Sequence, residues 1–530
     1  MFEKKRKILD QLNKSFGKPK DESFNFESIQ EFFRKKDKSA AYQVLSDKTC
    51  NDLDFEELFM FLDRTNSKIG QQFLYYKLRT IGRDPDNLKL QEELVEVLNK
   101  EDGLRTELQF QLKKLDKNEA YYITSLFQDE HVQKPSWYSI IPILSFTSIA
   151  SILMLFFNLK FFFVLLVVFI INLALHYWNK RNLYQYLGSI PQLLKLNYIA
   201  KEMMKVKLLQ KLDPSLSASI KTIDKVRNRM SFFRLEAKLE SDAEMIFWAM
   251  LEFFKTLFLL EPLLLFGVLK QLDTKRKEIE SVFSFVGNID FLISIASLRS
   301  GLEMYCIPEI TIEKKILESV NIYHPLIPEC IPNSLFLKDK SILLTGSNMS
   351  GKTSFIRAIG INVICALTIN TCFASKFALP RMKIFSAIRI SDDLMNDKSY
   401  YFEEVLTIKE MITQSQTAES NLFLLDEIFK GTNTIERISA GKAVLSYLSN
   451  NCSMVFVSTH DIELADLLKD SFELYHFSEI VGNKTVDFDY KLKEGKLKNR
   501  NAIRILEVNE YPAEIIKEAM ELAKMMDTRA

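Results

Sequence analysis

The segment that most constrains this chain is Ser341-Ile-Leu-Leu-Thr345, followed by Gly346-Ser-Asn-Met-Ser-Gly351-Lys352-Thr353. It reads as a buried strand, a G-x-x-x-x-G-K-[ST] turn and a helical pattern opening at Ser354. A strand feeding a helix through such a turn aims several backbone N–H groups at one spot. The positive end of the helix adds to them, which makes an anion site for nucleotide phosphates. The spacing predicts that Gly346, Ser347, Asn348, Met349, Ser350, Gly351 and Ser354 cradle ATP. Lys352 would reach its β- and γ-phosphates, and the Thr353 hydroxyl would ligate Mg²⁺.

Two further apolar strands follow in the order this reading needs. Asn421-Leu-Phe-Leu-Leu425 ends in Asp426-Glu427, far enough downstream for several strand–helix units of one parallel sheet. Asp426 is placed to hold Mg²⁺ through its water shell, and Glu427 to polarise an attacking water as the catalytic base. A strand that simply ends in solvated acids is the plain alternative. Met454-Val-Phe-Val-Ser458-Thr459 runs into His460, a candidate sensor of the γ-phosphate. Gly431-Thr432-Asn433-Thr434 between them is a loop able to line the other side of a nucleotide.

Taken together, these residues resemble the MutS family of mismatch-repair ATPases. Thr345-Gly-Ser-Asn-Met-Ser-Gly-Lys-Thr353 is similar to the family's T-G-P-N-M-G-G-K-S. Asp426-Glu427-Ile428 with Gly431-Thr-Asn-Thr434 resembles D-E-I-G-R-G-T-S-T, and Ser458-Thr459-His460 resembles A-T-H. Ser399-Tyr-Tyr-Phe-Glu-Glu404 stands where the family has S-T-F-M-x-E. The resemblance implies that Ser399 reaches a partner's nucleotide, so that activity needs a homodimer through the ATPase domains. Outside these motifs, Leu58–Thr65, Asn288–Leu292, His324-Pro-Leu326 and Tyr511-Pro-Ala-Glu514 also resemble family segments. The implied fold is an α/β P-loop NTPase domain of the ABC/MutS type, C-terminal to a mostly α-helical lever domain. DNA is the implied partner. Ser347, Ser350 and Lys430 depart from the family pattern, but backbone N–H groups do most of the phosphate binding. The residues before position 45 leave no room for the family's mismatch-reading and connector domains, so the expectation is a truncated member.

Residues 135–179 add something the resemblance does not supply. Pro135 to Leu159 holds no charged residue, and Phe161 to Trp178 holds none after Lys160. Each run is long enough to cross a bilayer. Trp137, Tyr138, Tyr177 and Trp178 mark one interface, and Lys134, Lys180 and Arg181 give both ends the cytoplasmic charge bias. The expectation is a transmembrane hairpin, with residues 139–178 in an inner or cytoplasmic membrane and the ATPase in the cytosol. A buried helical hairpin in a soluble core is the alternative. Ile246 to Leu269 is also apolar but contains Glu252, Lys255, Glu261 and Pro262, and reads as one long amphipathic core helix, with a third membrane span as the alternative.

The resulting organisation is a lysine-rich arm (1–45), a helical lever domain in two parts (46–134 and 180–320) around the hairpin (135–179), and the ATPase domain (321–530). The six cysteines form no C-x-x-C pair, which argues against a zinc site or disulfide framework. No secretory signal is expected from the charged start. The formal net charge of +1 offers no broad nucleic-acid footprint. Locally, residues 201–238 hold ten Lys or Arg against four acids. This stretch could meet DNA phosphates, anionic lipid or only solvent. Three functions follow: a membrane-anchored ATPase that binds DNA, one acting on a protein or membrane partner without DNA, and a nucleotide-gated scaffold.

Overall fold

A computed structural model describes residues 2–83, 86–242, 245–389, 400–481, 486–497, 503, 506–507 and 509–527. The chain divides into two compact units. One comprises Met1–Asp37, Leu62–Lys77 and Pro85–Gly301, and the other Lys38–Phe61, Leu78–Asp84 and Leu302–Ala530.

The first unit is helical. Its spine is the helix Arg276–Gly301, whose Ile279, Val282, Phe283, Val286, Ile289 and Ile293 recur at three- and four-residue spacing and are buried. Tyr184–Met203 and Leu216–Asp242 pack against it. Asp290 on this spine is wholly buried and accepts hydrogen bonds from the backbone N–H groups of Asn66 and Ser67 and from both their side chains, at 2.6–3.1 Å. Those groups lie just before the helix Lys68–Arg79, so Asp290 fixes the chain's entry into it from a distant part of the sequence, while Ser67 Oγ accepts from Gly70 N in its first turn.

Ile140–Leu155 and Phe161–Asn182 form a helical hairpin within this unit. Among the described residues, four helices are long and apolar enough to cross a membrane, counting Ser136–Leu155 as one. Two of them, Arg276–Gly301 and Lys352–Ile369, are mostly buried in protein, whereas the apolar stretch of each hairpin helix is only 17% buried. Phe146, Phe156, Phe157, Leu159 and Phe163 project outward at 69–85% exposure. The inner face is polar. Ser145, Ser148 and Ser151 on one helix are buried, as are Asn172, His176 and Asn179 on the other.

Residues 246–269 do not form the single helix expected. Met245–Phe258 and Leu260–Asp273 are separate helices, broken at Leu259 in the left-handed region (φ 48°) and followed by Pro262 in the first turn. Proline lacks a donor and is best accommodated in a first helical turn, which is where Pro262 stands. Both pack on the hairpin. Of the basic stretch, Lys201, Lys205, Lys207, Lys211, Lys221, Lys225 and Arg227 are exposed, and the side chains of Arg229, Arg234 and Lys238 lie outside the described residues.

The second unit is α/β. Its six-stranded sheet runs in the order Lys493–Glu494, Phe472–His476, Ser341–Thr345, Ser453–Thr459, Ser420–Asp426, Met382–Ala387. All neighbours are parallel except the first pair. The strands are continuous apolar runs because helices cover the sheet. A second, four-stranded sheet contains Glu309–Thr311, Lys376–Pro380, Ile316–Ile322 and Asn333–Lys338. The edge strand Met382–Ala387 is closed by the segment from residue 38. The Gln43 amide donates to Ile384 O at 2.7 Å and accepts from Ile384 N at 2.8 Å. Asp52 accepts from Ser386 Oγ and from the N–H groups of Ile388 and Arg389. An unpaired edge is thereby covered.

Candidate active site

Parallel pairing sets Thr345, Thr459 and Asp426 at the same end of three adjacent strands. Thr459 pairs with Thr345, and Ser458 pairs with Asp426. The loops leaving those ends meet in one place. Gly346 (φ 145°) and Gly351 (φ 105°) bound the turn between Ser341–Thr345 and the helix Lys352–Ile369. A Cβ on Gly346 would lie 2.6 Å from Phe477 O and 2.8 Å from Ser350 Oγ, so both its backbone angle and its surroundings require glycine.

Lys352 is 1% exposed, and its ammonium donates to Gly346 O and Ser347 O, each at 2.7 Å. Burial lowers its pKa to about 8, against the pull of Asp426 and Glu427, which favour the charged form. Ser350 Oγ donates to Ser347 O at 2.7 Å, and Ser347 Oγ donates to Glu479 Oε2 at 3.2 Å. Met349 is exposed, and Ser354 is half-buried in the first helical turn. The side chain of Asn348 lies outside the described residues.

Thr353 Oγ1 donates to Asp426 Oδ2 at 2.8 Å, and Ser458 Oγ donates to Asp426 Oδ1. A hydroxyl and a carboxylate side by side at a strand end are an oxygen pair suited to a hard, partly hydrated cation. Glu427 stands in the left-handed region (φ 52°), with its N–H on Ser458 O at 2.9 Å. Its carboxylate lies 2.9 Å from His460 Nε2 and 2.5 Å from Lys430 Nζ. Burial works against the Glu427 charge, but hydrogen bonds from His460 and Lys430 outweigh it and hold the group down to about 2. So low a pKa makes Glu427 a poor proton acceptor and a good fixed acceptor for orienting a water.

The structure thus brings Lys352, Thr353, Asp426, Glu427 and His460 together. Ser399 lies outside the described residues. The helix after it, Tyr400–Ser415, carries the buried Glu404, which accepts from Phe429 N at 2.5 Å. Phe429 is itself left-handed (φ 59°), so Glu404 fixes the strained turn that carries Glu427 and Lys430. Sequence reasoning assigned no role to Glu404 or Glu479. Glu404 stood inside a quoted motif, and its apolar helical surroundings were the available signal. For Glu479, far along the chain from the loop it contacts, no local signal existed.

The region that carries these residues is similar to known proteins. The family model for MutS domain V matches residues 342–527. A DNA mismatch repair protein MutS of Petrotoga mobilis is 31% identical over 276 residues, covering 49% of this chain and 33% of the relative. One from Fusobacterium nucleatum is 28% identical over 280 residues, covering 50% and 31%. The DNA mismatch repair protein MSH3 of Kluyveromyces lactis is 28% identical over 275 residues, covering 48% and 26%. The chain spans about a third of the length of these relatives.

Proposed function

From the premise that this chain belongs to the MutS family and spans about a third of its relatives' length, we propose that it is a membrane-anchored, DNA-binding ATPase working as a homodimer. The observation that carries the ATPase reading is the convergence of Lys352, Thr353, Asp426, Glu427 and His460 at the ends of three adjacent parallel strands. The glycine-bounded turn and the helix N-terminus bind the triphosphate, and Lys352 neutralises it. Thr353 and Asp426 hold Mg²⁺, which when bound stabilises charge on the transferring phosphoryl group. Glu427, kept ionised by Lys430 and His460, orients the attacking water. His460 links that carboxylate to the nucleotide's terminal phosphate, and Ser399 of each chain completes the other chain's site.

Two observations support the anchor: the outward apolar surface of the hairpin and the contact between Trp137 and Trp178 at its base, with ring centroids 4.8 Å apart. The ATPase then faces the cytoplasm. DNA enters by family and by the exposed lysines of 201–227. In the second reading the same levers act on a membrane or protein partner, a reading favoured by the closeness of those lysines to the hairpin in sequence.

Steady-state ATP hydrolysis by the full chain and by Glu427→Gln tests the first part. Turnover is expected for the former, with retained ATP and at least about a hundredfold loss for the latter. Equal rates would remove Glu427 from the mechanism. Mobility shift with duplex DNA tests the partner: binding that weakens steeply with salt supports DNA, and no binding at low salt leaves the second reading.

A further inference from the structure

Beneath the hairpin lies a group of ionisable side chains that the ATPase reading does not use. His176 is 3% exposed, Glu261 is 0% and Lys255 is 1%. His176 Nε2 is 3.3 Å from Glu252 Oε2, and its Nδ1 is 3.7 Å from Glu261 Oε2. Lys255 Nζ lies 3.0 Å from Glu252 Oε1 and 2.5 Å from Glu261 Oε1, and Lys180 reaches Glu252 Oε1 at 2.9 Å. Neither oxygen of Glu261 nor the Nδ1 of His176 has a hydrogen-bond partner of good geometry, although all three atoms are buried. The Glu261 charge is balanced by Lys255, but His176 Nδ1 and Glu261 Oε2 are buried, 3.7 Å apart and without a hydrogen bond, and such atoms are costly, rare and point to a ligand.

The fold gathers these groups from three helices. The break at Leu259 turns Met245–Phe258 back into Leu260–Asp273, which brings Glu261 beside Glu252 and Lys255. The turn is fastened to the hairpin by Asn172 Nδ2, which donates to Leu257 O at 2.8 Å and to Ser148 Oγ at 3.2 Å. His176, one turn beyond Asn172, then meets both carboxylates.

We propose that His176, Glu252 and Glu261 form a binding site for a first-row divalent metal ion of the zinc class, with the Lys255 ammonium as its built-in competitor. One ligand atom from each residue can be chosen so that all lie within 4.8 Å of one another. Bound at ~2.0–2.2 Å around one ion, such atoms stand roughly 3.3–3.6 Å apart, so closure needs movements of about an ångström. The donor set selects the ion, because an imidazole nitrogen favours zinc, cobalt or iron over magnesium and calcium. Charge selects it too: two carboxylates and a neutral imidazole carry −2, which one divalent cation cancels. Lys255 and Lys180 now supply that compensation, and the metal would displace it. On metal binding the Lys255 ammonium swings away from the carboxylates. The site is separate from the ATP pocket, and the failure of either leaves the other standing.

The test is Co²⁺ and Zn²⁺ binding to the full chain in detergent without nucleotide, comparing wild type, Glu261→Gln and Lys255→Met. Other metal-binding atoms exist on the chain, so the readout is the difference between variants. Wild type is expected to hold one equivalent more than Glu261→Gln, with a Co²⁺ visible spectrum that Glu261→Gln lacks. Loss of a buried ligand could unfold the bundle. Lys255→Met keeps all three ligands, and it should bind about tenfold more tightly or better and gain Tm with Zn²⁺, reversed by chelator. Equal stoichiometry in wild type and Glu261→Gln, or unchanged affinity in Lys255→Met, overturns the site and leaves a plain ion-pair cluster.

Discussion

Two buried charges show how single residues are tuned in this molecule. Lys352 is useful to a phosphate only as an ammonium, and burial has brought its pKa down to about 8. Raising the pH through that value removes the charge from the free site, so ATP affinity should fall by up to about tenfold per pH unit above it. Binding at pH 8.5 should also take up protons, readable by titration calorimetry in buffers of different ionisation enthalpy. Affinity that stays flat from pH 7 to 9.5 would show that Lys352 does not carry the phosphate charge. Asp290 is the opposite case. Burial pushes it up to about 6, while donors from Asn66 and Ser67 surround both its oxygens. Asp290→Asn would turn an amide NH₂ toward those donors, with an expected loss of roughly 1–3 kcal/mol in denaturant unfolding of the helical unit. A variant as stable as wild type would show that the donors do not need the charge.

At the scale of elements, the C-terminal sheet depends on a segment remote in sequence. Gln43 offers the edge strand a side-chain donor and acceptor where a neighbouring strand would offer backbone. Gln43→Ala leaves the N–H and C=O of Ile384 unpaired in a buried setting, with an expected destabilisation of about 2 kcal/mol. Hydrogen exchange at Ile384 is the measurement, and unchanged protection would mean another group covers the edge. The strand–loop–helix around Gly346 was legible because glycine spacing, an apolar run and a lysine–threonine pair are local requirements. The turn at Leu259 was not. Nothing in the sequence marks a leucine for φ 48°, and Pro262, in the first turn of the second helix, is compatible with a helix start there.

At the scale of the whole molecule, the hairpin carries the prediction. Its outward Phe146, Phe157 and Phe163 form an apolar surface that water does not favour. Expressed in bacteria, the full chain should sediment with membranes, resist carbonate extraction and dissolve in detergent. Release by carbonate would favour a hairpin covered by protein. The Lys38–Phe61 segment, by contrast, clusters with the C-terminal unit. Its own sequence reads only as helical, because membership of a unit is a matter of long-range contacts.

What the sequence determined by itself was every feature whose physics is short-ranged. The phosphate turn, the acids at a strand end, the histidine after a third strand and the apolar runs of the hairpin each declare themselves within about twenty residues. Tertiary structure alone decided which of those features meet. Parallel register aligned Asp426 with Ser458 and set Thr353 against it, and a backbone reversal brought Glu261 to His176 across 85 residues of chain. Such pairings arise from burial and hydrogen-bond satisfaction summed over whole elements, which no local window contains.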